Sequence, residues 1–252
     1  MYDPSMSKIV VITGASAGIG AALGERLAKR GDRVVLVARR RQALDEVAAR
    51  CEGRADVHVA DVTDRPQVRR VADETVERCG RIDVWVNNAG QGITRNPSEL
   101  TDDDLDAVMR ANVHSALYGM QEVLPHFRAR GEGHVINISS LLGRVPFATI
   151  RSAYSASKHF LNALTAMMRA EVQATHPGIQ ISLVSPGVVR TDFGLNARHG
   201  GPDSRSFPES QSADEVAAVI ATVIDTRQPD VYTRPAQKMI ANYYATVGVD
   251  PQ

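Results

Sequence analysis

The chain has 252 residues, 43% of them hydrophobic and 23% charged, which suffices for a buried core and excludes a disordered chain. Lys+Arg and Asp+Glu each number 29, so no overall basic field points to nucleic acid or a membrane surface. The two cysteines, Cys51 and Cys79, have neither metal-type spacing nor the density of a disulfide framework, and read as free thiols of a reducing cytoplasm.

The N-terminal M-Y-D-P-S-M-S-K lacks the basic region and apolar run of a signal peptide, and Met6 is a second candidate start. The apolar run at 9–12 is far too short to cross a membrane. From there, short β-rich runs alternate with longer helical patterns. Strands are predicted at 8–13, 33–38, 57–60, 82–87, 134–139, 179–185 and, more weakly, 230–233. Helices are predicted at 18–30, 41–51, 65–79, 102–130, 154–175 and 213–226. Runs such as V-V-L-V do not alternate apolar with polar, so these strands are covered on both faces. Alternating β and α elements imply a doubly wound parallel α/β sheet of about seven strands, with helices on both sides. No linker, repeat or low-complexity block divides the chain, so residues 1–252 read as one domain.

The first strand runs into T-G-A-S-A-G-I-G (13–20) and then a helix. Gly14, Gly18 and Gly20 fit the three needs of a dinucleotide turn: a tight bend, close approach of backbone to a pyrophosphate, and packing of helix on strand. The helix N-terminus that follows offers free N–H groups to an anion. Further along, 192–212 is polar and rich in Gly, Pro and Ser, the composition of a lid or binding loop. Y-S-A-S-K (154–158) places Tyr154 and Lys158 on one face of a helix, where a lysine favours the phenolate and brings a phenol's proton exchange closer to neutral pH. His114, His159 and His199 form no ligand cluster with carboxylates or cysteines, and no metal site is expected; His199 is a distant candidate for substrate contact.

Taken in order, T-G-A-S-A-G-I-G (13–20), D-V-T (61–63), N-N-A-G (87–90), Asn112, S-S-L-L-G (139–143), Y-S-A-S-K and P-G-V-V-R-T (186–191) make the chain resemble the short-chain dehydrogenase/reductase family, in its compact single-domain branch. The resemblance implies a Rossmann fold and a nicotinamide cofactor. After the second strand such a site separates NAD from NADP, by an acid on the ribose 2′-OH or an arginine on a 2′-phosphate. Here Ala38 is followed by Arg39, Arg40 and Arg41, with no acid between Arg33 and Ala43. Arg39 is the first choice for the phosphate, with Arg40 and the Ser16 hydroxyl as helpers, and NADP is preferred over NAD. The resemblance further assigns Asp61 and Val62 to the adenine, and Asn88, with Ala89 and Gly90, to bracing the strands beside the cofactor. Ile19 belongs to the glycine turn. Pro186, Gly187, Val189 and Thr191 fall near the nicotinamide.

For the reaction, the resemblance implies hydride transfer between the nicotinamide and a carbonyl, with Tyr154 as proton donor or acceptor and Lys158 also holding the ribose. Ser140 is preferred over Ser139 as second donor because Gly143 follows it by three, although the stretch to Tyr154 is one residue longer than the commonest family spacing. Asn112 helps hold a water that links the lysine to solvent. The expected function is an NADP(H)-dependent oxidoreductase of ketones or aldehydes and their alcohols. Alternatives are an NAD-dependent alcohol dehydrogenase, a cofactor-binding regulator without turnover, and an epimerase or dehydratase of nucleotide sugars. The pocket is expected between 192–212 and 144–153, with Val145, Pro146, Phe147 and Ile150 as an apolar wall. Family likeness also predicts a homodimer or homotetramer through helices 102–130 and 154–175, where Leu117, Met120, Leu161, Leu164 and Met167 supply apolar surface.

Overall fold

The computed structural model describes residues 7–248, so the readings of the extreme N-terminus, Met6 included, lie outside the described residues. The strands are β1 (Ile9–Thr13), β2 (Arg33–Ala38), β3 (Ala55–Val59), β4 (Val84–Asn87), β5 (Gly133–Ile138), β6 (Ile179–Ser185) and β7 (Asp230–Tyr232). They form one sheet of seven, in the order β3-β2-β1-β4-β5-β6-β7, with every neighbouring pair parallel. The helices between them are α1 (Gly18–Arg30), α2 (Arg41–Ala49), α3 (Arg65–Cys79), α4 (Asp102–Met109), α5 (Ser115–Arg130), α6 (Ser152–Thr175), α7 (Ala213–Thr226) and α8 (Gln237–Val247). This is the doubly wound arrangement expected from the sequence, and the strand order reverses between β1 and β4.

The non-alternating strands have the cause inferred from sequence. Val10 and Ile12 of β1 pack with Leu23, Leu27, Leu44 and Ile220 on the face covered by α1, α2 and α7. Ile9 and Val11 point the other way, into a second core with Val71, Met120, Phe127 and Val172 under α3, α5 and α6. Each fully buried side chain of this kind contributes about 1.5–3 kcal/mol of transfer free energy. Two apolar layers therefore clamp the sheet from both sides.

Two differences from the sequence reading bear on function. The expected unbroken helix 102–130 is split by a π turn at Arg110–His114. Apolar spacing continues on both sides of the break, which leaves no mark in the periodicity. Its cause is a tertiary contact: Asn112 inside the turn accepts from the Gln91 N–H at 2.8 Å and donates to the Gln91 carbonyl at 2.9 Å. The second difference is α8, which follows the last strand and was not anticipated because only Ile240 of its side chains is buried. Ile240 and Ala236 pack on Val145, and the Tyr244 hydroxyl donates to the Arg144 carbonyl at 2.6 Å. Val145 thus faces α8 and is fully buried, rather than walling the pocket as expected. No helix among the described residues is long and apolar enough to cross a membrane.

Gly119 of α5 packs directly against side chains of β4. A Cβ there would fall on Asn87 Oδ1 and within 2.5 Å of Trp85 Nε1, the two atoms of a buried hydrogen bond. Gly119→Ala should therefore lower unfolding free energy by about 1–3 kcal/mol, as overpacking does. Urea denaturation measures it; an unchanged midpoint would show that the helix shifts without cost.

Candidate active site

The carboxyl ends of β1 and β4 are clasped before any ligand is considered. Thr13 Oγ1 donates to the Val86 carbonyl at 3.2 Å and accepts from the N–H groups of Asn88 at 3.0 Å and Ala89 at 3.1 Å. The Asn88 amide donates to the carbonyls of Thr13 at 2.9 Å and Gly14 at 3.3 Å. Around this clasp the glycine turn folds tightly: Gly14 and Gly18 have φ of +66° and +55°, a region that disfavours a side chain. A Cβ on Gly20 would come within 2.5 Å of the Gly14 carbonyl and 2.6 Å of the Asn88 amide, so its part is close packing of α1 on the turn.

A cavity of about 1140 Å³ opens above these strand ends. It is lined by Gly14, Ser16, Gly18 and Ile19; by Arg39, Arg40, Asp61 and Val62; by Asn88, Ala89 and Gly90; and by Pro186, Gly187, Val189 and Thr191. Ser140, Tyr154 and Lys158 complete it, whereas Gly20 and Asn112 stand just behind the wall. Residues scattered over the sequence are thus brought to one sheet edge. The cavity suits a dinucleotide on two local observations. The first turn of α1 carries no acidic residue and no side-chain cap, so its N–H groups remain available to an anion. At the end of β2, Arg40 donates to Ser16 Oγ at 3.1 Å, joining the basic run to the glycine turn. Arg39 is exposed on the same wall. Asp61 Oδ1 is engaged in its own turn, accepting from the Thr63 N–H at 2.9 Å and hydroxyl at 2.8 Å.

At the other end the two serines separate. Ser139 Oγ donates to Asn162 Oδ1, and the Asn162 amide is anchored on the Gly143 carbonyl at 2.7 Å. Ser140 Oγ is the hydroxyl that hydrogen-bonds the Tyr154 phenol, and it also accepts from the Leu142 N–H at 3.2 Å. Tyr154 is buried, which raises its pKa; the Ser140 hydrogen bond and the Arg151 charge act against that rise. Lys158 is buried too, and desolvation brings its pKa down to about 8. Its Nζ donates to the Ile138 carbonyl at 2.9 Å and lies 5.7 Å from the centre of the Tyr154 ring. The expectation was that Lys158 makes the phenol more acidic; the influences that lower the Tyr154 pKa here are Ser140 and Arg151. Asn112 reaches the same helix, donating to Ser157 Oγ at 3.0 Å, which donates to the Tyr154 carbonyl at 2.7 Å.

Two residues of the site escaped the sequence reading. Phe193 meets the Tyr154 ring edge-on with centroids 5.5 Å apart, and Arg151 lies one helical turn before Tyr154 in the cavity wall. The i−3 spacing to the tyrosine was the available signal for Arg151. The polar segment 192–212 does border the cavity, through Asp192, Phe193, Pro202 and Phe207 among others. It is strapped down rather than free: Arg198 and His199 reach Asp104 Oδ1 at 2.5 and 2.7 Å, and Arg95 reaches Oδ2 at 3.1 Å. His199 is therefore a strap and does not line the cavity. Phe147 and Ile150 line it as expected, whereas Pro146 does not.

A model of the short chain dehydrogenase family matches residues 8–200. An uncharacterized oxidoreductase of Staphylococcus epidermidis is 33% identical over 228 residues, covering 90% of this chain and 97% of its own. Sulfoacetaldehyde reductase 2 of Chromohalobacter salexigens is 35% identical over 205 residues, 80% of each chain. Among solved structures, a short-chain dehydrogenase of Sphingobium yanoikuyae in complex with NADPH superposes with a TM-score of 0.81 at 30% identity, covering 96% of this chain and 92% of its own.

The buried amine gives a direct check. NMR of lysine-labelled protein without cofactor should show a side chain titrating near pH 8 that is missing in Lys158→Met. Because the unfolded chain keeps this proton up to the ordinary lysine range, the folded state sheds it first, and this group's contribution to stability rises with pH from about 8 to that range. A Lys158 resonance that titrates with exposed lysines would contradict the desolvated site.

Proposed function

The chain belongs to the short-chain dehydrogenase family, and from that premise we propose that this CH–OH oxidoreductase uses NADP(H) to interconvert a ketone or aldehyde and its alcohol. The observation that carries the reading is the convergence of Ser140, Tyr154 and Lys158 on the inner end of a dinucleotide-sized cavity. The nicotinamide, when bound, supplies or accepts the hydride. The chain's own residues handle the oxygen. Ser140 Oγ and Tyr154 Oη form a pair of hydroxyls between which a carbonyl oxygen is held, and Tyr154 Oη passes its proton to that oxygen as charge develops. A phenol whose pKa is raised by burial keeps its proton until that moment, which supports the reductive sense. The name of the relative from Chromohalobacter, an aldehyde reductase, supports the same direction.

Lys158, fixed on the Ile138 carbonyl, is positioned to hold the ribose, and Asn112 sets the wall behind Gly90, where a Cβ would come 2.9 Å from Asn112 Oδ1. The Asn112 amide spends both N–H donors on the Gln91 carbonyl and Ser157 Oγ, so its side chain meets a water beside the lysine only as an acceptor. NADP is favoured over NAD because Arg39 and Arg40 with Ser16 form a basic, hydroxyl-bearing rim where a carboxylate would otherwise select the free ribose. The NADPH complex of the Sphingobium relative is in keeping with this choice. Asp61 and Val62 border the same end and are proposed for the adenine; Pro186, Gly187, Val189 and Thr191 are proposed for the nicotinamide side. The residues from Asp192 to Ser212 are proposed as the substrate loop of one continuous domain.

A homodimer or homotetramer is proposed through α5 and α6. Phe160 and Met167 of α6 are 51% and 72% exposed, whereas Met120 and Leu161 are core residues and give no such surface. The free thiols of Cys51 and Cys79 support a cytoplasmic setting.

Tyr154→Phe should reduce turnover of any accepted carbonyl by at least about a thousandfold, toward the upper end of what general acid catalysis contributes, while NADPH affinity stays within a few-fold. Fluorescence titration and NADPH consumption measure the two quantities, and a fully active variant would remove the proposed acid. Arg39→Asp should weaken NADPH by about tenfold or more relative to NADH, because it replaces a guanidinium by a like charge beside the phosphate. An unchanged ratio of the two affinities would assign cofactor choice elsewhere.

A further inference from the structure

Arg151 is a half-buried guanidinium in the cavity wall, one helical turn before Tyr154. Its Nη1 donates to the Ile93 carbonyl at 3.1 Å, and among the described residues it pairs with no carboxylate. Asp104, the buried acid of the neighbouring α4, is already engaged, holding Arg95, Arg198 and His199 at once. Arg95 meets Arg151 in a backbone bridge, and its own side chain is held by Asp104. The guanidinium occupies a slot that two glycines leave open. A Cβ on Gly92 would lie 3.3 Å from Nη1, and one on Gly201 would lie 2.9 Å from Nη2. Burial lowers the pKa of Arg151, the mark of a charge lacking a counterion. A guanidinium has more N–H donors than one carbonyl satisfies, in a fork that matches an oxyanion.

Resting on the oxidoreductase reading, we infer that Arg151 binds an anionic group of the substrate, so that this enzyme prefers short carbonyl compounds bearing a carboxylate or sulfonate. Arg151 caps the N-terminus of α6 and Tyr154 follows in its first turn, so the two side chains line one end of the cavity, and the Arg151 charge acts on the Tyr154 phenol. An anion on Arg151 and an oxygen on Tyr154 therefore fit within one small molecule. The exposed rings of Phe147 and Phe193 close over its apolar part.

The test uses acetoacetate, 2-oxopropanesulfonate and methyl acetoacetate, which share a ketone and differ in charge or in the anion. Binding of each to the protein loaded with NADP+, which cannot reduce them, is measured by calorimetry, and NADPH consumption is measured separately. The two anions should bind about ten- to a hundredfold more tightly than the ester, the range a charge-assisted hydrogen bond supplies. The stronger of the two identifies carboxylate or sulfonate. Arg151→Gln should collapse the anion-to-ester ratio toward one, mainly through KM in turnover, and Arg151→Lys should restore part of it. A wild-type protein that binds the ester as well as the anions overturns the inference, whether or not Arg151→Gln folds. So does an Arg151→Gln variant that keeps the ratio while the pH profile of kcat moves, since Arg151 would then act on Tyr154. Anion preference in binding with no NADPH consumption for any of the three would sustain the anion site and sink the oxidoreductase reading. Equal consumption of ester and anions would do the reverse.

Discussion

The hydrogen-bonded clasp between the carboxyl ends of β1 and β4 is the constraint from which the rest of the site is built. The strand order reverses there, so the two loops that leave these strands part in opposite directions and open a crevice. Thr13 and Asn88 hold the rims of that crevice at a fixed spacing. Buried polar groups left unpaired would each cost about 1–3 kcal/mol, so the clasp tolerates little change. It also dictates its neighbours. The Asn88 amide occupies the volume a Cβ on Gly20 would need, and the same amide limits Gly14. The glycines are thus consequences of the clasp as much as of any ligand.

The reacting end is governed by burial rather than by a strong charge pair. Tyr154 and Lys158 are both desolvated, and desolvation pushes the phenol's pKa up and the amine's down. Both shifts favour uncharged forms, leaving the phenol a reserved proton and the amine a polar arm set on the Ile138 carbonyl. What relieves the phenol is Ser140 at hydrogen-bond range and the Arg151 charge. Arg151 thereby touches two questions at once, the acidity of Tyr154 and the identity of what lies beside it. An anion that neutralised Arg151 would also weaken its pull on the phenol and help keep the proton in place for transfer.

Much of this was legible in the sequence because it is written in local rules. Gly14 and Gly18 announce a backbone bend, strand runs without alternation announce two covered faces, and the i,i+4 pair of Tyr154 and Lys158 announces one helix face. The boundaries of α1, α3, α7 and β6 agree with the pattern to the residue. What was not legible depends on tertiary partners. The π turn at Asn112 exists because Gln91, far away in the chain, pairs with its side chain. The direction of Val145 is set by α8, an amphipathic helix too lightly buried to stand out. The choice between Ser139 and Ser140 needed Asn162, which claims the first and leaves the second to the phenol. His199 looked like a loop residue because its partner, Asp104, is nearly a hundred positions away.

The polar loop shows the same limit from the energetic side. Composition alone suggests a loose lid, yet its charges face inward. Asp104 is fully buried, and hydrogen bonds from His199 and Arg198, helped by Thr101, hold its carboxyl well below the usual carboxylate range. Breaking such a cluster by removing one partner costs far more than its net gain on formation, because a buried charge is left alone. Backbone bonds add to it: the Thr94 N–H reaches the Arg198 carbonyl at 3.0 Å, and the Arg198 N–H reaches that of Gly92 at 2.9 Å. At the far end Gln211 exchanges hydrogen bonds with Val188 and Arg190, both at 2.8 Å. Between these anchors, residues 203–210 have mostly short-range bonds, such as Ser206 to Asp203 and Ser210 to Phe207. The part beside Arg151 and Tyr154 is thus pinned by long-range bonds on both sides, whereas the tip that carries Arg205 and Phe207 is held to the rest of the chain chiefly through Arg205 on Asp192 and Arg234 on the Glu209 carbonyl. An inner wall pinned in this way suits selection by a fixed charge, because the guanidinium is held in place by the Ile93 carbonyl before a ligand arrives.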